Sequence, residues 1–147
     1  MVLRSYEQIT ADGMVRLFKS YRPEYKDGEQ VRDFLYVKDA AAMSIFFAED
    51  EGRPCRGIYN IGYGATRTWN DLARAMFHAL RVTTQIEYIE MPEELRPRYQ
   101  YRTCLDISKI RQAGWTRQPL TLEEAAKDYV QYLTTGAHLG EIPYDKP

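Results

Sequence analysis

The spacing of hydrophobic residues along this chain changes between a helical period and a strand period. Near-helical spacing within residues 2–10 predicts a helix. A turn signal at Asp12-Gly13 separates that helix from a short strand predicted at Met14–Phe18. Residues 20–29 are polar and predict a loop. The amino-terminal part is therefore expected to alternate helix, strand and loop.

The central part of the chain contains the longest run of alternating side chains. Residues 31–37 alternate with a period of two, which predicts a strand, and Asp39 is predicted as the N-cap of a helix over Ala40–Glu49. That helix is apolar around most of its circumference, so it needs cover on more than one side. Residues 52–56 predict a loop, and Gly57–Gly62 predicts a short strand of the type found inside parallel sheets.

Capping signals define the elements of the carboxy-terminal part. Thr68 and Thr121 each begin a capping box, so each predicts a helix start. The first helix should bury Leu72, Met76 and Leu80. The second should run to about Leu133 with Leu122, Ala125, Tyr129, Val130 and Leu133 facing inward. A strand is predicted at Gln85–Met91, and a short helix should run from a cap at Asp106 to Gly114.

These elements predict a mixed α/β (α+β) fold. With 147 residues the chain has the length of about one domain and can bury a sizeable core. The expected domain covers residues 1–135. Residues 136–147 contain glycine and proline and are expected to form a loose tail.

Composition narrows the function classes. The chain is 44% apolar and 28% charged with a net charge of −1, which predicts a soluble protein with no bulk attraction to nucleic acid or membranes. The cysteines, Cys55 and Cys104, lie far apart and suit free thiols in a reducing cytoplasm. Neither His78 nor His138 has a metal ligand at a suitable spacing, so no metal site is predicted. No apolar run approaches the length of a membrane span.

Tyrosine is unusually frequent, with 12 residues against 5 phenylalanines. Tyrosine suits half-buried walls of carbohydrate or nucleotide pockets, although plain surfaces use it too. Basic residues mix with tyrosines between residues 96 and 102, a mixture also found in RNA-binding proteins. The net charge of −1 argues against RNA as the partner.

Two motifs carry more information than composition. Residues 32–39 read Arg-Asp-Phe-Leu-Tyr-Val-Lys-Asp, and residues 58–64 read Ile-Tyr-Asn-Ile-Gly-Tyr-Gly, with a capped helix after them. Alone, Arg32 and Asp33 could form a surface ion pair of little energetic value. Taken together, the motifs resemble those of nucleotide-sugar epimerases and dehydratases, which are extended short-chain dehydrogenases/reductases.

Further segments resemble one branch of that superfamily, the ADP-L-glycero-D-manno-heptose 6-epimerases. They comprise residues 5–9, 15–20, 85–89 and 95–100. The resemblance extends from about residue 2 to residue 133 and corresponds to the carboxy-terminal, substrate-binding part of the family. A nucleotide sugar such as ADP-heptose is the implied ligand.

The resemblance implies a set of substrate-binding residues. They are Phe18, Lys19, Ser20, Tyr21, Arg32 and Tyr99. The fork of donors on an arginine suits diphosphate oxygens, and a tyrosine can lie against a ring while its hydroxyl stays polar. Arg4 stands where the family often has histidine, so it is either a new phosphate contact or a solvated helix residue.

The resemblance also implies epimerisation by transient oxidation with NADP. This sequence contains no glycine-rich loop of the dinucleotide-binding type, and none of its tyrosines has a lysine four positions later. We therefore expect no catalytic residue and no cofactor bound by this chain alone. The expected protein is a truncated epimerase that is inactive alone. The alternatives are a non-catalytic module that binds nucleotide sugars and an interaction domain that binds no nucleotide.

The missing cofactor half has a structural consequence. In the family, the segments that match Ala40–Phe47 and Ile58–Ile61 pack into the sheet of the cofactor domain. Large apolar side chains left in water are unfavourable by roughly 1.5–3 kcal/mol each. We expect this surface to be covered by self-association or by a rearranged packing.

Overall fold

The computed structural model describes residues 1–48 and 57–137, which form five α-helices and four strands. The helices are α1 (Val2–Asp12), α2 (Val37–Ala48), α3 (Trp69–Leu80), α4 (Ser108–Gln112) and α5 (Leu122–Thr135). The strands are β1 (Val15–Phe18), β2 (Val31–Arg32), β3 (Arg67–Thr68) and β4 (Ile86–Ile89). The predicted mixed α/β class is confirmed. The loop predicted at 52–56, Cys55, His138 and most of the predicted tail lie outside the described residues.

The strands form two small sheets. β1 pairs with β4 in parallel, with Val15 opposite Ile86 and Phe18 opposite Ile89. β2 pairs antiparallel with β3. A further parallel bridge joins Val31 to Arg102, so the segment after residue 100 extends the pairing of β2 on its other side.

The first hydrophobic cluster lies between α1, β1, α3 and α5. Its centre is formed by Val15, Met76 and Phe77, none of which is more than 1% exposed. The other buried members are Ile9, Leu17, Leu72, Ala73, Ala75, Leu122, Ala126 and Val130. This cluster buries one face of each helix and one face of the parallel strand pair.

A second hydrophobic cluster lies around α2 and α4. Met43, Ile110 and Trp115 are buried in it, and Phe46 and Phe47 are half-buried against it. Phe46 contacts Trp115 edge-on at 5.4 Å between ring centroids, and Phe47 contacts Tyr59 at 4.5 Å. The apolar helix is therefore covered in part by residues of this chain, and the cover of its remaining exposed side chains stays a prediction.

Both predicted capping boxes are present. The Thr68 hydroxyl accepts from the Asp71 N–H while the Asp71 carboxylate accepts from the Thr68 N–H, and Thr121 and Glu124 repeat this arrangement. Leu122 and Val130 of α5 are buried as predicted. The other buried positions of α5 are Ala126 and Tyr132, whereas the predicted Ala125, Tyr129 and Leu133 are half-buried, as is Leu80 of α3.

The strand predicted over residues 31–37 is wrong beyond Arg32. After β2 the chain passes between the two clusters, with Phe34 packed against the first and Leu35 against the second. The alternation in sequence therefore reflects burial on two opposite sides and not a longer ladder. Gly57–Gly62 is not a strand either. Its side chains Tyr59 and Ile61 enter the second cluster, while the Lys109 ammonium donates to the Ile58 carbonyl at 2.8 Å.

The predicted cap at Asp39 is also wrong, because α2 begins two residues earlier at Val37. Asp39 is 1% exposed and accepts a hydrogen bond from the Leu120 N–H at 3.0 Å, with the Arg117 guanidinium at 3.8 Å. Its carboxylate thus joins α2 to the start of α5. Asp106 accepts from the Ser108 N–H as a cap would, but the residue that directly precedes α4 is Ile107.

A second polar link joins the same helices. The Lys38 ammonium lies 2.8 Å from the Asp128 carboxylate of α5, and the Tyr36 hydroxyl donates to the same carboxylate. Burial and this hydrogen bond raise the pKa of the Tyr36 phenol well above its ordinary value.

In the part of the chain that the structure describes, no helix has the length and apolar character needed to cross a membrane.

Removing the Asp39 carboxylate should weaken the connection between α2 and the start of α5. We expect Asp39→Ala to lower the free energy of unfolding by about 2–3 kcal/mol, because the Leu120 N–H and Arg117 lose a buried acceptor. Urea unfolding followed by circular dichroism measures this loss. Asp106→Ala removes an exposed carboxylate and should have a much smaller effect. Equal losses in the two variants would contradict the linking role of Asp39.

Candidate functional site

The predicted substrate residues gather at the carboxyl ends of the parallel strands β1 and β4. Lys19, Ser20 and Tyr21 follow β1 directly, and Glu90 follows β4. The Lys19 N–H donates to the Ile89 carbonyl at 2.9 Å, so the two chain segments leave the sheet side by side. In α/β proteins, ligands bind outside the carboxyl ends of parallel strands.

Lys19 and Tyr21 converge on the Glu90 carboxylate. The Lys19 ammonium lies 2.6 Å from one carboxylate oxygen, and the Tyr21 hydroxyl donates to the other. The hydrogen bonds that Glu90 accepts lower the pKa of its carboxyl group. The bond from Lys19 has the largest effect, and the bond from Tyr21 has the next largest. The Arg96 guanidinium lies over the Tyr21 ring at 3.9 Å. An anionic ligand at this position would compete with Glu90 for the two donors.

The loop of residues 20–29 is held by polar contacts. The Ser20 N–H donates to the Asp27 carboxylate at 2.7 Å. Buried Asn70 of α3 donates from its side chain to the Asp27 carbonyl at 3.0 Å. Gly28 has a φ of 70°, and a Cβ there would lie 2.2 Å from the Asn70 side-chain oxygen. Only glycine fits at this approach, so the loop and the residues it positions are tied to the start of α3.

Arg32 is held in a defined position by the backbone. Its guanidinium donates to the Val31 carbonyl at 2.8 Å and to the Gln100 carbonyl. It lies over the Tyr99 ring at 5.3 Å and the Trp69 ring at 5.5 Å. The guanidinium has five N–H donors, and these two hydrogen bonds use two of them. The carboxylate of the neighbouring Asp33 accepts hydrogen bonds from backbone N–H groups.

Aromatic rings form a continuous wall beside Arg32, which we call the aromatic cluster. Its members are Phe18, Tyr25, Trp69, Tyr99 and Tyr101. Phe18 meets Tyr99 edge-on at 6.2 Å, and Tyr101 lies 5.4 Å from both Tyr99 and Tyr25. The Tyr101 hydroxyl accepts from the Tyr21 N–H at 2.9 Å. The cluster therefore joins the turn after β1 to the segment that contains Tyr99.

Six of the seven predicted site residues thus belong to one connected region. Arg4 lies exposed in the first turn of α1, and the ring contacts, ion pairs and hydrogen bonds that connect the other six do not include it. Its role stays a prediction. The sequence reasoning did not assign Arg22, Trp69 or Glu90 to the site, although Arg22 lies 4.6 Å from the centre of the Tyr101 ring. The high tyrosine count was the one signal that pointed to such a wall.

The chemistry of this region suits a ligand with both rings and negative charge. Arg22, Arg32 and Arg96 lie over aromatic faces, and Lys19 adds a fourth cation, which pairs with Glu90. Aromatic faces stack on planar rings or sugar faces, while guanidinium groups bind phosphate oxygens. A separate open cleft of about 740 Å³ lies between the ends of α3 and α5, lined among others by His78, Arg81 and Lys127. It contains none of the predicted site residues.

The described residues do not fit the pyrophosphate of a dinucleotide cofactor. That group needs a parallel strand, a glycine-rich loop and a helix in succession, with the loop N–H groups free to bind phosphate. Within 1–48 and 57–137, β1 is followed by the polar loop of residues 20–29 and then by β2. The N–H groups of Tyr63 and Gly64 already bind Asp33. The same ranges contain no group of three His, Cys, Asp or Glu residues suited to a metal ion.

Comparison with known proteins shows which proteins this chain is similar to. Residues 4–62 match the model of the NAD dependent epimerase/dehydratase family. This match agrees with the family that the motifs of the sequence resemble. It spans only about two fifths of the length of the relatives that it matches.

The particular relatives are sugar-nucleotide epimerases. The ADP-L-glycero-D-manno-heptose-6-epimerase of Fusobacterium nucleatum is 44% identical over 137 residues, which cover 89% of this chain and 41% of that protein. The Helicobacter pylori enzyme of the same name has a solved structure with 26% identity and a TM-score of 0.69, over 91% of this chain and 37% of that one. A UDP-glucose 4-epimerase of Thermus thermophilus, solved with NAD, matches in fold with a TM-score of 0.73 at 24% identity, over 92% and 40%.

The environment of Tyr99 is open to a direct test. Burial raises the pKa of this phenol, and the charge of Arg32 opposes the shift only in part. The difference between ultraviolet titrations of the wild type and Tyr99→Phe should show a midpoint above the ordinary value of 10.0. Because the folded pKa is raised, the stability that this group contributes is lost as the pH rises through it.

Denaturant provides the control for this titration. In urea the same difference should return to a midpoint near the ordinary tyrosine value of about 10. A midpoint that is the same in folded and unfolded protein would show that Tyr99 is not held in the half-buried position described.

Proposed function

We propose that this chain is the nucleotide-sugar-binding part of a sugar-nucleotide epimerase of the ADP-L-glycero-D-manno-heptose 6-epimerase type and is inactive alone. One observation carries the proposal. The Arg32 guanidinium is anchored by two backbone carbonyls beside Tyr99 and Trp69, near the carboxyl ends of β1 and β4. An arginine fixed in this way offers its remaining donors to phosphate oxygens with little loss of side-chain entropy.

The proposed contacts follow from the positions of the side chains. Arg32 binds the diphosphate, and Lys19 adds a second cation after exchanging Glu90 for the ligand. Phe18, Ser20 and Tyr21 form the turn that faces the ligand after β1, and Tyr99 lies against its ring or sugar. Arg4 is proposed as a peripheral contact only. The substrate-binding domain is proposed to cover residues 1–135 of a cytoplasmic protein.

We further propose that this chain alone holds no nicotinamide cofactor and supplies no catalytic residue. The absence of a strand, glycine loop and helix in succession among the described residues supports this proposal. NADP would then bind to the part of the family fold that lies outside this chain. The second candidate, a non-catalytic module that binds nucleotide sugars, rests on the same observation and shares the same ligand.

The binding proposal is tested by calorimetric titration with ADP-glucose, which has the same ADP group as the implied substrate. We expect the wild type to bind and Arg32→Ala to bind about 10- to 100-fold more weakly, because a charge-assisted hydrogen bond contributes about 1.5–3 kcal/mol. Arg74→Ala is the matched control, since this exposed arginine of α3 pairs only weakly with Asp71 at 3.6 Å.

The control should bind ADP-glucose like the wild type. Two results would contradict the proposal: no binding of ADP-glucose by the folded wild type, or equal losses for the arginine variants at positions 32 and 74. The first result would favour an interaction domain that binds no nucleotide.

Self-association through Ala40–Phe47 and Ile58–Ile61 is proposed as well. Packing within the chain buries Met43 and leaves Phe46 and Phe47 half-buried. Ile45 remains 50% exposed and Ile58 89% exposed, and Val37 is 66% exposed at the start of α2. Exposed apolar side chains favour association, because burying them removes their area from water.

Sedimentation velocity over a range of protein concentrations tests this surface. We expect a concentration-dependent dimer in the wild type and a shift to monomer in Ile45→Asp and Ile58→Asp, since a carboxylate is unfavourable in an apolar interface. Val82→Asp places the same charge on a residue that is 48% exposed near the end of α3, so it should not change the assembly. A wild type that stays monomeric throughout would rule the association out.

A further inference from the structure

We propose that Asp33 is the positioning residue of the candidate site, which holds Arg32 and Tyr99 in register with each other. This inference rests on the proposed function, because it assigns Asp33 a role in nucleotide-sugar binding without direct contact to the ligand. It begins from an unusual use of a carboxylate. Asp33 accepts hydrogen bonds from three backbone N–H groups that belong to two separate segments of the chain.

The first segment contains Tyr99, Gln100 and Tyr101. β2 is joined to it by the hydrogen bond of the Val31 N–H with the Tyr101 carbonyl at 2.9 Å and that of the Thr103 N–H with the Val31 carbonyl at 3.2 Å. The next donor in this series is the Leu105 N–H, which binds the Asp33 carboxylate at 3.2 Å. The side chain therefore replaces the backbone carbonyl that a parallel ladder would present next.

The hydrogen bond from Leu105 to Asp33 determines which groups contact the Arg32 guanidinium. The carbonyl of Gln100 receives the Arg32 guanidinium, and the neighbouring ring of Tyr99 lies against it at 5.3 Å. A shift of the segment along β2 would move this carbonyl and this ring together. Asp33 closes the ladder at its far end and so prevents that shift.

The second segment leads into β3 and α3. The Tyr63 N–H donates to one oxygen of Asp33 at 2.7 Å, and the Gly64 N–H donates to the other at 2.9 Å. Gly62 permits this approach, because a Cβ there would lie 3.1 Å from the Asp33 oxygen and 2.6 Å from Leu105. A few residues later, Trp69 contributes the other ring beside Arg32. Asp33 thus connects the two segments that supply the rings on which Arg32 lies.

The sharpest substitution is Asp33→Asn, which keeps the shape of the side chain. One carboxylate oxygen accepts from Gly64 and Leu105, and the other accepts from Tyr63. An amide has one oxygen, so at least one of the three N–H groups must face an NH₂ group. Register should loosen while the overall fold persists.

The experiment is a double-mutant cycle on ADP-glucose affinity, measured by calorimetry. Asp33→Asn should weaken binding about tenfold in the wild-type background and cause a clearly smaller loss in the Arg32→Ala background, because Asp33 acts mainly by placing Arg32 against Tyr99. Glu124→Gln is the matched control: its carboxylate also accepts a backbone N–H, in the capping box of α5, and its loss should leave affinity unchanged. Equal losses from Asp33→Asn in both backgrounds would overturn the inference.

A measurement without ligand separates this inference from the proposed function. Nuclear magnetic resonance should show faster amide exchange at Tyr63, Gly64 and Leu105 in Asp33→Asn, and broadening of the signals of the Arg32 Nη–H groups that donate to the Val31 and Gln100 carbonyls. If wild-type protein does not bind ADP-glucose, the proposed function fails, while these signals still decide whether Asp33 positions Arg32. An unchanged Arg32 signal would overturn the positioning role.

A second variant covers the case in which Asp33→Asn does not fold. Gly62→Ala leaves the carboxylate intact but adds a Cβ 2.6 Å from Leu105 and 3.1 Å from the Asp33 oxygen, so both groups must move away from residue 62. It should reproduce the loss of affinity and the broadened Arg32 signal. Normal affinity and a normal signal in folded Gly62→Ala would contradict the inference.

Discussion

The structure depends on two carboxylates, half-buried Asp33 and buried Asp39, that join two hydrophobic clusters with no buried side chain in common. One cluster lies between α1, β1, α3 and α5, and the other surrounds α2 and α4. The chain crosses between them at residues 33–39, where Asp33 and Asp39 accept backbone N–H groups from distant segments. A buried carboxylate is stable only when such donors compensate its lost hydration. The relative placement of the clusters is therefore set by directional bonds more than by apolar contact.

The candidate site lies where this polar crossing meets the parallel strand pair. β2 brings Arg32 to the aromatic cluster, while β1 delivers Lys19 and Tyr21 beside Glu90. Cations that lie on aromatic faces keep their charge accessible while their carbon chains are packed. This arrangement explains why a chain with a net charge of −1 can still present a local concentration of positive charge. Local geometry, not total charge, determines which ligand the surface suits.

The sequence predicted the helices well where their signals were local. The capping boxes at Thr68 and Thr121 depend only on neighbouring residues, and both are present. The predictions at residues 33–37 and 57–62 were wrong, because alternating apolar residues indicate burial on two sides and not the presence of a partner strand. Motif resemblance selected Arg32 and Tyr99 as predicted site residues, and the structure places the Arg32 guanidinium 5.3 Å from the centre of the Tyr99 ring. Trp69 and Arg22 were missed, since their proximity to the site arises from tertiary contacts between distant segments.

The parallel pairing of β1 with β4 has a consequence for how the protein folds. Val15 and Ile86 are 71 positions apart, and closing a loop of that length opposes pairing by about 4 kcal/mol of chain entropy. A pair of four-residue strands cannot compensate this alone, so the ladder depends on the packing of α1, α3 and α5 in the first hydrophobic cluster. The placement of the residues that follow the two strands therefore depends on the packing of the whole domain.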